Sequence, residues 1–457
     1  MAALIPTFYN TLTRQLEPFK PRELGKVSLY VCGPTVYDDP HLGHARCYIT
    51  WDVLVRLLRA LAYEVIYARN ITDVDDKILN RAQERGVSPS DLAKHYETRF
   101  EQAMTALNIL PATISPHATE HIPKMLEGIQ HLMAQGFAYA TPQGDVYFDI
   151  AAYNAAFDDT YPALSRQSLE QKQAGARIEV NTDKKNPHDF ALWKIVQDEA
   201  SAHALSWPAP WTSHLGRPGW HIECSAMNAA VFGAQIDIHA GGADLMFPHH
   251  DCEIAQSQAW HGSKGTPFAR LWLHNGFVNV SGEKMSKSLN NFKTVFDVLD
   301  RYSANAIRYF LLQHHYRSPV DFTDAALQAA ENRIHKLKTL FDGVMPPKTL
   351  PFEALTVLAQ DMDTPKTLAL MNTWVNDPET RSQAWGLWHL LGFGSFQETV
   401  SKKAINLDAS WQALLQERQE AKASKNWARA DAIRQEFFQA GYVLNDHKDG
   451  TTTYEPL

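Results

Sequence analysis

Two histidines three residues apart, His41 and His44, enclose Leu42 and Gly43 just after the turn-rich stretch Cys32-Gly-Pro-Thr-Val-Tyr-Asp-Asp-Pro40. At the start of a helix that spacing turns both imidazoles the same way. Unpaired N–H groups and the positive end of the helix dipole favour phosphate there, and Gly43 lets a ligand approach the backbone. Far downstream, Ser281-Gly-Glu-Lys-Met-Ser-Lys-Ser-Leu289 places Lys284 and Lys287 among serines on a polar loop. A third set, Cys32, Cys224, His249 and Glu253, offers thiolate, imidazole and carboxylate, all of which bind Zn²⁺. His249 and Glu253 are four apart on an expected helix and share a face. No C-x-x-C spacing supports the set, and periodicity admits His250 as readily as His249.

These residues need a frame. Lys26-Val-Ser-Leu-Tyr-Val31 is apolar and β-branched, the pattern of a buried strand. Tyr48 to Arg59 repeats apolar residues every three or four positions, predicting a helix, and Tyr63 to Ala68 predicts a second strand leading into Asn70-Ile-Thr-Asp-Val-Asp-Asp-Lys77. Strand, helix, strand opens a parallel α/β sheet, whose ligands bind at the carboxyl ends of strands; Cys32–His44 and Asn70–Lys77 both lie at such ends. Helical pattern covers 78–110, broken at Gly86-Val-Ser-Pro89. Further on, a helix begins within Pro218–Met227, a strand covers Gln235–His239, and a helix covers Phe247–Gln258 with Pro248 in its first turn. Strand-like Leu271–His274 and Gly276–Val280 lead to the Lys284 loop.

Composition shifts between 116 and 206, with a short strand near Asp145–Asp149 and a polar, loop-like 150–190, the signature of an insertion. Beyond 295 the pattern is almost wholly helical, with a break at Pro346-Pro347, helices over 351–371, 377–391 and 408–440, Gly441 as a C-cap, and a β-like tail from Asp446 to Tyr454. The expected architecture is an α/β, Rossmann-like parallel-sheet domain split by an insertion, then a helical bundle and a small C-terminal domain. The expected divisions are 1–115 and 207–294 for the split domain, 116–206 for the insertion, 295–345 for a stem-contact helical region, 346–400 for the bundle and 401–457 for the last domain.

The chain has 457 residues, 45% of them hydrophobic and 21% charged, which fits a soluble globular protein with an ample core. No apolar run approaches the roughly 20 residues of a membrane span, and the N-terminal residues lack the basic start and apolar stretch of a secretory signal. Four dispersed cysteines make no disulfide framework and suit a reducing, cytoplasmic setting. Of these, Cys47 and Cys252 read as structural. A net charge of -8 means that any RNA partner must meet local basic patches.

His41-Leu-Gly-His44 followed by Lys284-Met-Ser-Lys-Ser288 resembles the paired signatures of class I aminoacyl-tRNA synthetases. Tyr30-Val-Cys-Gly-Pro-Thr-Val-Tyr37, Asn70–Lys77, Pro218-Gly-Trp-His-Ile-Glu-Cys-Ser-Ala-Met227, Asp237-Ile-His-Ala-Gly-Gly-Ala-Asp-Leu245, Phe247-Pro-His-His250, His315-Tyr-Arg-Ser-Pro319 and Asn426–Arg434 narrow the resemblance to the cysteinyl-tRNA synthetase family. It extends from about residue 5 to the end of the chain. Three positions depart from the family pattern: Leu42 for Ile, Ala240 for a Gly, and Asn290 for a Gly. The first fills the same apolar slot. Ala240 requires a backbone without positive φ, and Asn290 tolerates the left-handed region.

The resemblance implies two reactions. The carboxylate of cysteine attacks the α-phosphate of ATP and releases pyrophosphate; a terminal ribose hydroxyl of tRNA(Cys) then takes the cysteinyl group from the adenylate. Chemistry of this kind needs positioning and charge stabilisation. By resemblance, His41, His44 and Gly43 serve the α-phosphate, Lys284 and Lys287 the β- and γ-phosphates, Gly242 and Asp244 the adenosine, and Thr72 and Trp220 the cysteine pocket. Mg²⁺ accompanies ATP. The resemblance selects His249 over His250 and implies one Zn²⁺ on Cys32, Cys224, His249 and Glu253 that takes the substrate thiol. An apolar pocket rejects a hydroxyl isostere by only about a hundredfold, whereas Zn²⁺ prefers sulfur; an editing domain is then unnecessary.

The resemblance also places an anticodon-reading domain at the C-terminus. Arg418, Lys422, Lys425, Arg429 and Arg434 accompany Trp427 there, against Glu417, Glu420, Asp431 and Glu436; stacking and phosphate contact, or a solvated salt-bridged helix, both suit that composition. A monomer is expected. The competing readings are a paralogous ligase that transfers cysteine to a small amine, which would lack this last region, and a non-catalytic nucleotide- or tRNA-binding protein, which would have lost His41, His44, Lys284 or Lys287.

Overall fold

The computed structural model describes residues 4–158, 160–166, 183–196, 205–262, 268–280, 282–284, 293–347, 349–396, 409–439, 442–446 and 452–456. A hairpin, β1 (Thr7–Asn10) and β2 (Gln15–Pro18), precedes β3 (Lys26–Val31). Helix α1 (Leu42–Ala60) leads to β4 (Glu64–Arg69), which pairs in parallel with every residue of β3. Helix α1 starts six residues before its periodic part. It is buried on almost every side, so no amphipathic stripe marks its first turns; the imidazole of His41 caps it instead.

Helices α2 (Asp76–Arg85) and α3 (Pro89–Ala106) follow, the first closed by Gly86 at φ 66°, the second opened by Ser88 and Pro89. After α4 (Ile122–Ala134) the chain builds a separate antiparallel sheet from β5 (Ala138–Ala140), β6 (Val146–Phe148), β7 (Phe190–Ile195), β8 (Trp207–Ala209) and β9 (Thr212–Pro218), in the order β5-β6-β7-β9-β8. The stretch expected as loop from 150 holds a short helix, α5 (Ile150–Ala156), capped by Asp149. Most of its positions are small or polar, which hides it from periodicity.

The parallel sheet resumes about two hundred residues after it began. Helix α6 (Trp220–Phe232) leads into β10 (Ile236–Gly242), which is buried at every position and inserts beside β3, Ile238 opposite Leu29. A strand with both faces covered usually reads as a near-continuous apolar run; β10 departs from this at Asp237, which bonds Ser28, and at His239, which bonds Glu253. Helix α7 (Asp251–His261) and β11 (Ala269–Asn275) complete the order β11-β10-β3-β4. Pro248 does not open α7: Phe247 has extended φ/ψ of -133° and 132°, so Met246–His250 forms a separate turn and the helix begins at Asp251. Ala240 lies in regular strand, with no positive φ, and is accommodated; Leu42 is buried as expected. Asn290 and Gly441 lie outside the described residues.

β12 (Val278–Val280) and β13 (Glu283–Lys284) approach the lysine loop, and α8 (Val295–Leu299) leaves it. Helix α9 (Ala304–Leu312) is followed by a strand that the helical pattern concealed, β14 (Val320–Phe322), parallel to β12. The bundle comprises α10 (Asp324–Phe341), α11 (Phe352–Leu358), α12 (Thr364–Trp374) and α13 (Arg381–Leu390). The helix expected over 351–371 is interrupted where Asp361 and Met362 take φ of 54° and 50°. That over 408–440 is a hairpin of α14 (Ala409–Ala423) and α15 (Trp427–Gln439), turning at Lys425 with φ 61°. It packs Ile433 and Phe437 against Leu444 of the terminal hairpin, β15 (Tyr442–Asp446) and β16 (Thr452–Pro456). Among the described residues no helix is long and apolar enough to cross a membrane.

Candidate functional site

A cavity of about 350 Å³ opens at the carboxyl ends of β3, β4, β10 and β11. His41, Gly43 and His44 form one wall. The two imidazoles stack, centroids 3.8 Å apart at 18°. His44 Nδ1 accepts from the His41 backbone N–H at 3.2 Å, and His41 Nδ1 accepts from the His44 N–H at 3.4 Å. Each ring thus spends Nδ1 on the cap, which puts the proton of the neutral ring on Nε2. Burial, and then the neighbouring His41, hold the His44 pKa well below the usual range, so that ring stays neutral.

The lysine loop is fixed at both ends. Lys284 pairs with Asn279 across β12 and β13. At the other end Leu42 N–H donates to Lys293 O (3.1 Å) and Val295 N–H to Pro40 O (2.8 Å), so the returning strand zips onto the histidine turn. Lys287 lies between these anchors, outside the described residues.

The floor of the cavity carries the metal-binding candidates. Ligand atoms of Cys32, Cys224, His249 and Glu253 all lie within 4.8 Å of one another, and all four residues are buried. His249 Nε2 is 3.1 Å from Glu253 Oε1, and Cys32 Sγ is 3.6 Å from the same oxygen. An overlapping set, Cys32, His239, His250 and Glu253, meets the same distance test, so the ambiguity over His250 persists in the geometry. Burial lowers His249 to a pKa of about 3, which leaves its lone pair available. Burial also pushes the Cys32 thiol well above its usual value, the cost of a thiolate with no cation beside it. It would likewise raise the Glu253 carboxyl, but His239 and His249 more than offset this and keep it below the usual range.

Around the floor runs a set of partners, of which the sequence singles out only His250 and Thr72. His239 Nε2–H donates to Glu253 Oε2 at 2.9 Å. His250 reaches Cys32 Sγ at 3.3 Å and, through Nδ1, His274 Nε2 at 2.8 Å. The side chain of Asn70 accepts from Gly33 N–H (2.8 Å) and donates to Thr72 Oγ1 (3.2 Å). One signal was available for His274, which lies one residue before the end of β11, where ligand-facing groups collect; His239 sits mid-strand in β10 and carried none.

Thr72 and Trp220 line the same cavity. The Trp220 ring is 38% exposed and lies 4.1 Å from the buried His249 imidazole, forming a wall beside it. Gly242 and Asp244 line it too, and a Cβ on Gly242 would collide with the Asp244 carboxylate. Cys47 reaches the cavity but is pushed up to about 12 by burial, and Cys252 is buried in the core, so both are inert.

The C-terminal cations are mostly occupied. Asp446 receives both terminal nitrogens of buried Arg418 at 2.9 Å, together with Lys422 and Arg434. Arg429 lies between Glu417 and Glu436. These four therefore build the small domain rather than a basic surface, which leaves Lys425 and the 57% exposed Trp427 at the helix turn.

A parallel sheet cut by an insertion, with a histidine-capped helix at one cavity and a lysine-bearing loop anchored to the histidine turn, defines a class I aminoacyl-tRNA synthetase. Solved structures agree in fold: the Agrobacterium radiobacter LeuRS-tRNA-LeuAMS ternary complex (TM-score 0.57, 11% identity, covering 96% of this chain and 91% of that one), and the Mycobacterium tuberculosis methionyl-tRNA synthetase bound by methionyl-adenylate (TM-score 0.54, 16% identity, covering 81% and 89%). The family model for the class I (C) tRNA synthetase catalytic domain matches residues 18–332, and that for the cysteinyl-tRNA ligase anticodon binding domain matches 406–452. Cysteine–tRNA ligases of Haemophilus influenzae (43% identity, 97% of this chain and 98% of the relative) and Magnetococcus marinus (41%, 97% and 97%) align along nearly the whole length. The chain belongs to the cysteine–tRNA ligase family and is an enzyme of that activity, binding ATP, an amino acid and tRNA. Neither a small-amine ligase nor a non-catalytic binder is favoured, because the anticodon binding domain is matched and the relatives are ligases.

Proposed function

We propose that the cavity makes cysteinyl-adenylate and presents it to tRNA(Cys), with cysteine chosen by a zinc site on Cys32, Cys224, His249 and Glu253. The observation that carries this reading is that those four ligand atoms converge, and that Cys32, Cys224 and His249 among them line the cavity whose wall holds His41 and His44. The donor set fits zinc: two thiols, an imidazole kept neutral by burial, and a carboxylate ordered by His239. Of the two overlapping groups, this one contains both thiols, the donors best matched to that metal. When bound, zinc supplies a preference for sulfur over oxygen and lowers the proton affinity of a coordinated thiol.

The chain's own residues do the rest. His41 and His44, each with Nδ1 engaged by backbone, present Nε2–H donors to the α-phosphate beside Gly43 at the helix start. Gly242 and Asp244 receive the adenosine. Lys284 and Lys287 hold the β- and γ-phosphates, with Mg²⁺ carried in by ATP. Thr72, fixed by Asn70, and Trp220, lying over His249, enclose the cysteine. Residues 1–115 and 207–294 act as the catalytic domain, 116–206 as the inserted connective domain, 295–345 as the stem-contact region, 346–400 as the bundle and 401–457 as the anticodon domain. The enzyme works as a cytoplasmic monomer.

The test is ATP–pyrophosphate exchange with cysteine and with serine, before and after zinc is removed by a chelator, alongside metal analysis. One zinc per chain, loss of cysteine-dependent exchange on removal and recovery on zinc addition are expected. Undiminished exchange by metal-free protein would overturn the assignment.

A further inference from the structure

Arg99 belongs to α3, an element that none of the signature stretches includes, yet it grips both sides of the nucleotide wall. Its Nε and Nη2 donate to the two carboxylate oxygens of Asp39 at 2.7 and 2.9 Å, a two-pronged ion pair. Asp39 lines the cavity two residues before His41. The same guanidinium lies over Phe296 of α8, 3.7 Å from the ring centroid. Between these two contacts runs the backbone zipper already described, Leu42 to Lys293 and Pro40 to Val295. Both Arg99 and Asp39 are largely shielded, with side chains 18% and 25% exposed, so the pair is fixed rather than fluttering in solvent.

We infer that Arg99 is a positioning residue for ATP: it clamps the histidine turn against Phe296 and the edge formed by residues 293–295, and so holds His41 and His44 in register for the triphosphate. The inference rests on the reading of this cavity as the ATP site. Arginine suits the role because one planar group can fork onto a carboxylate while stacking on a ring. Lysine could make the ion pair but neither the fork nor the stacking. Cys224, His249 and Glu253 of the floor lie on other elements, and Cys32 is seven residues from Asp39, so the clamp bears on ATP more than on cysteine.

The experiment is ATP–pyrophosphate exchange by full-length, zinc-loaded enzyme carrying Arg99→Met, Arg99→Lys, Asp39→Asn, or Arg99→Met with Asp39→Asn. Arg99→Met should raise the KM for ATP about tenfold, the loss expected for one charge-assisted fork at a partly shielded site, while the KM for cysteine changes by no more than about twofold, because Thr72 keeps its own backbone bonds to Pro34 and Val36. Arg99→Lys should fall between wild type and Arg99→Met. The double variant should be no worse than Arg99→Met, because both changes break one contact. Parallel rises in both KM values, or an additive double variant, would show general damage and overturn the clamp, as would an unchanged KM for ATP in protein whose circular dichroism and melting match wild type. If Arg99→Met does not fold, the Asp39→Asn and Arg99→Lys values decide by the same criteria. Failure of wild-type exchange with cysteine would instead strike the reading of the site itself.

Discussion

Replacing Arg308 by Met would test how the catalytic helix is held to the bundle. Arg308 on α9 is 1% exposed and its Nη1 donates to Asp52 Oδ2 of α1 at 2.8 Å. Its remaining donors serve three backbone carbonyls, Leu391 O at 2.8 Å, Asn108 O at 3.1 Å, and Leu107 O at 3.3 and 3.1 Å. Gly392, at φ 77°, is compatible with this arrangement because a Cβ there would strike the guanidinium. Breaking a buried ion pair by removing one partner costs about 3–5 kcal/mol. Asp52 would retain Arg56 Nε and Leu110 N–H, each at 2.9 Å, so the lower end, about 3 kcal/mol, is expected. With a urea slope of about 3 kcal/mol/M for a large domain, the midpoint should fall by roughly 1 M. Urea unfolding followed by tryptophan fluorescence gives the value. Converting both partners, Arg308→Met with Asp52→Leu, should recover part of the loss, because the buried carboxylate is gone and Arg56, 17% exposed, can turn to water. A midpoint within about 0.2 M of wild type for Arg308→Met, or a double variant weaker than the single, would refute the reasoning.

Cys224→Ser should lower zinc content and cysteine-dependent exchange together; full metal loading with normal exchange would count against its place in the site. Lys287→Ala should slow adenylate formation far more than it weakens cysteine binding if, as proposed, its charge acts on the departing pyrophosphate; equal effects on both would make the loop structural. Trp427→Ala should reduce tRNA charging by about tenfold or more while leaving exchange intact, since base stacking on an aromatic side chain is worth about 1–3 kcal/mol; unchanged charging would remove this ring from anticodon reading. His117, hydrogen-bonded and ion-paired to Glu97 at 2.8 Å, is raised to about 9. Because the folded value lies above the unfolded one, near 6.5, its stabilising contribution is complete below pH 6.5 and disappears as pH rises through 9. His117→Gln should flatten stability in that window, as urea titrations at pH 6 and 9.5 would measure; a variant that keeps the wild-type slope would deny His117 this contribution.

Much of the site was legible because its parts end strands or start helices, where residue type and position coincide. Val31 gives way to Cys32 and the strand ends there; His41 precedes Gly43 and a helix begins. Surroundings shared between distant segments were illegible. His239 supports Glu253 and Arg99 reaches Asp39 across gaps that no local period spans. Helix lengths failed for a related reason: the breaks at Asp361 and Lys425 are left-handed residues that are not glycine, so neither carries the usual mark of a turn. In the last domain, acids and bases were counted correctly, but only the fold reveals that Asp446 gathers three of the cations.

The insertion of β10 beside β3 shapes how the chain must be born. Lys26–Val31 finds β4 within about forty residues of synthesis, but its other neighbour is made some two hundred residues later. At roughly 5–20 residues per second, a ribosome leaves that edge open for about 10–40 s. During the interval a β-branched strand with unpaired N–H and C=O groups faces outward, the surface that pairs with stray chains. The antiparallel sheet of the insertion is built from nearer neighbours and can close in the meantime. A synthetase of this design therefore makes its own nascent chain a customer for chaperones, and conditions that slow elongation between Pro116 and Ile236 should lower its soluble yield more than equal pauses near the C-terminus.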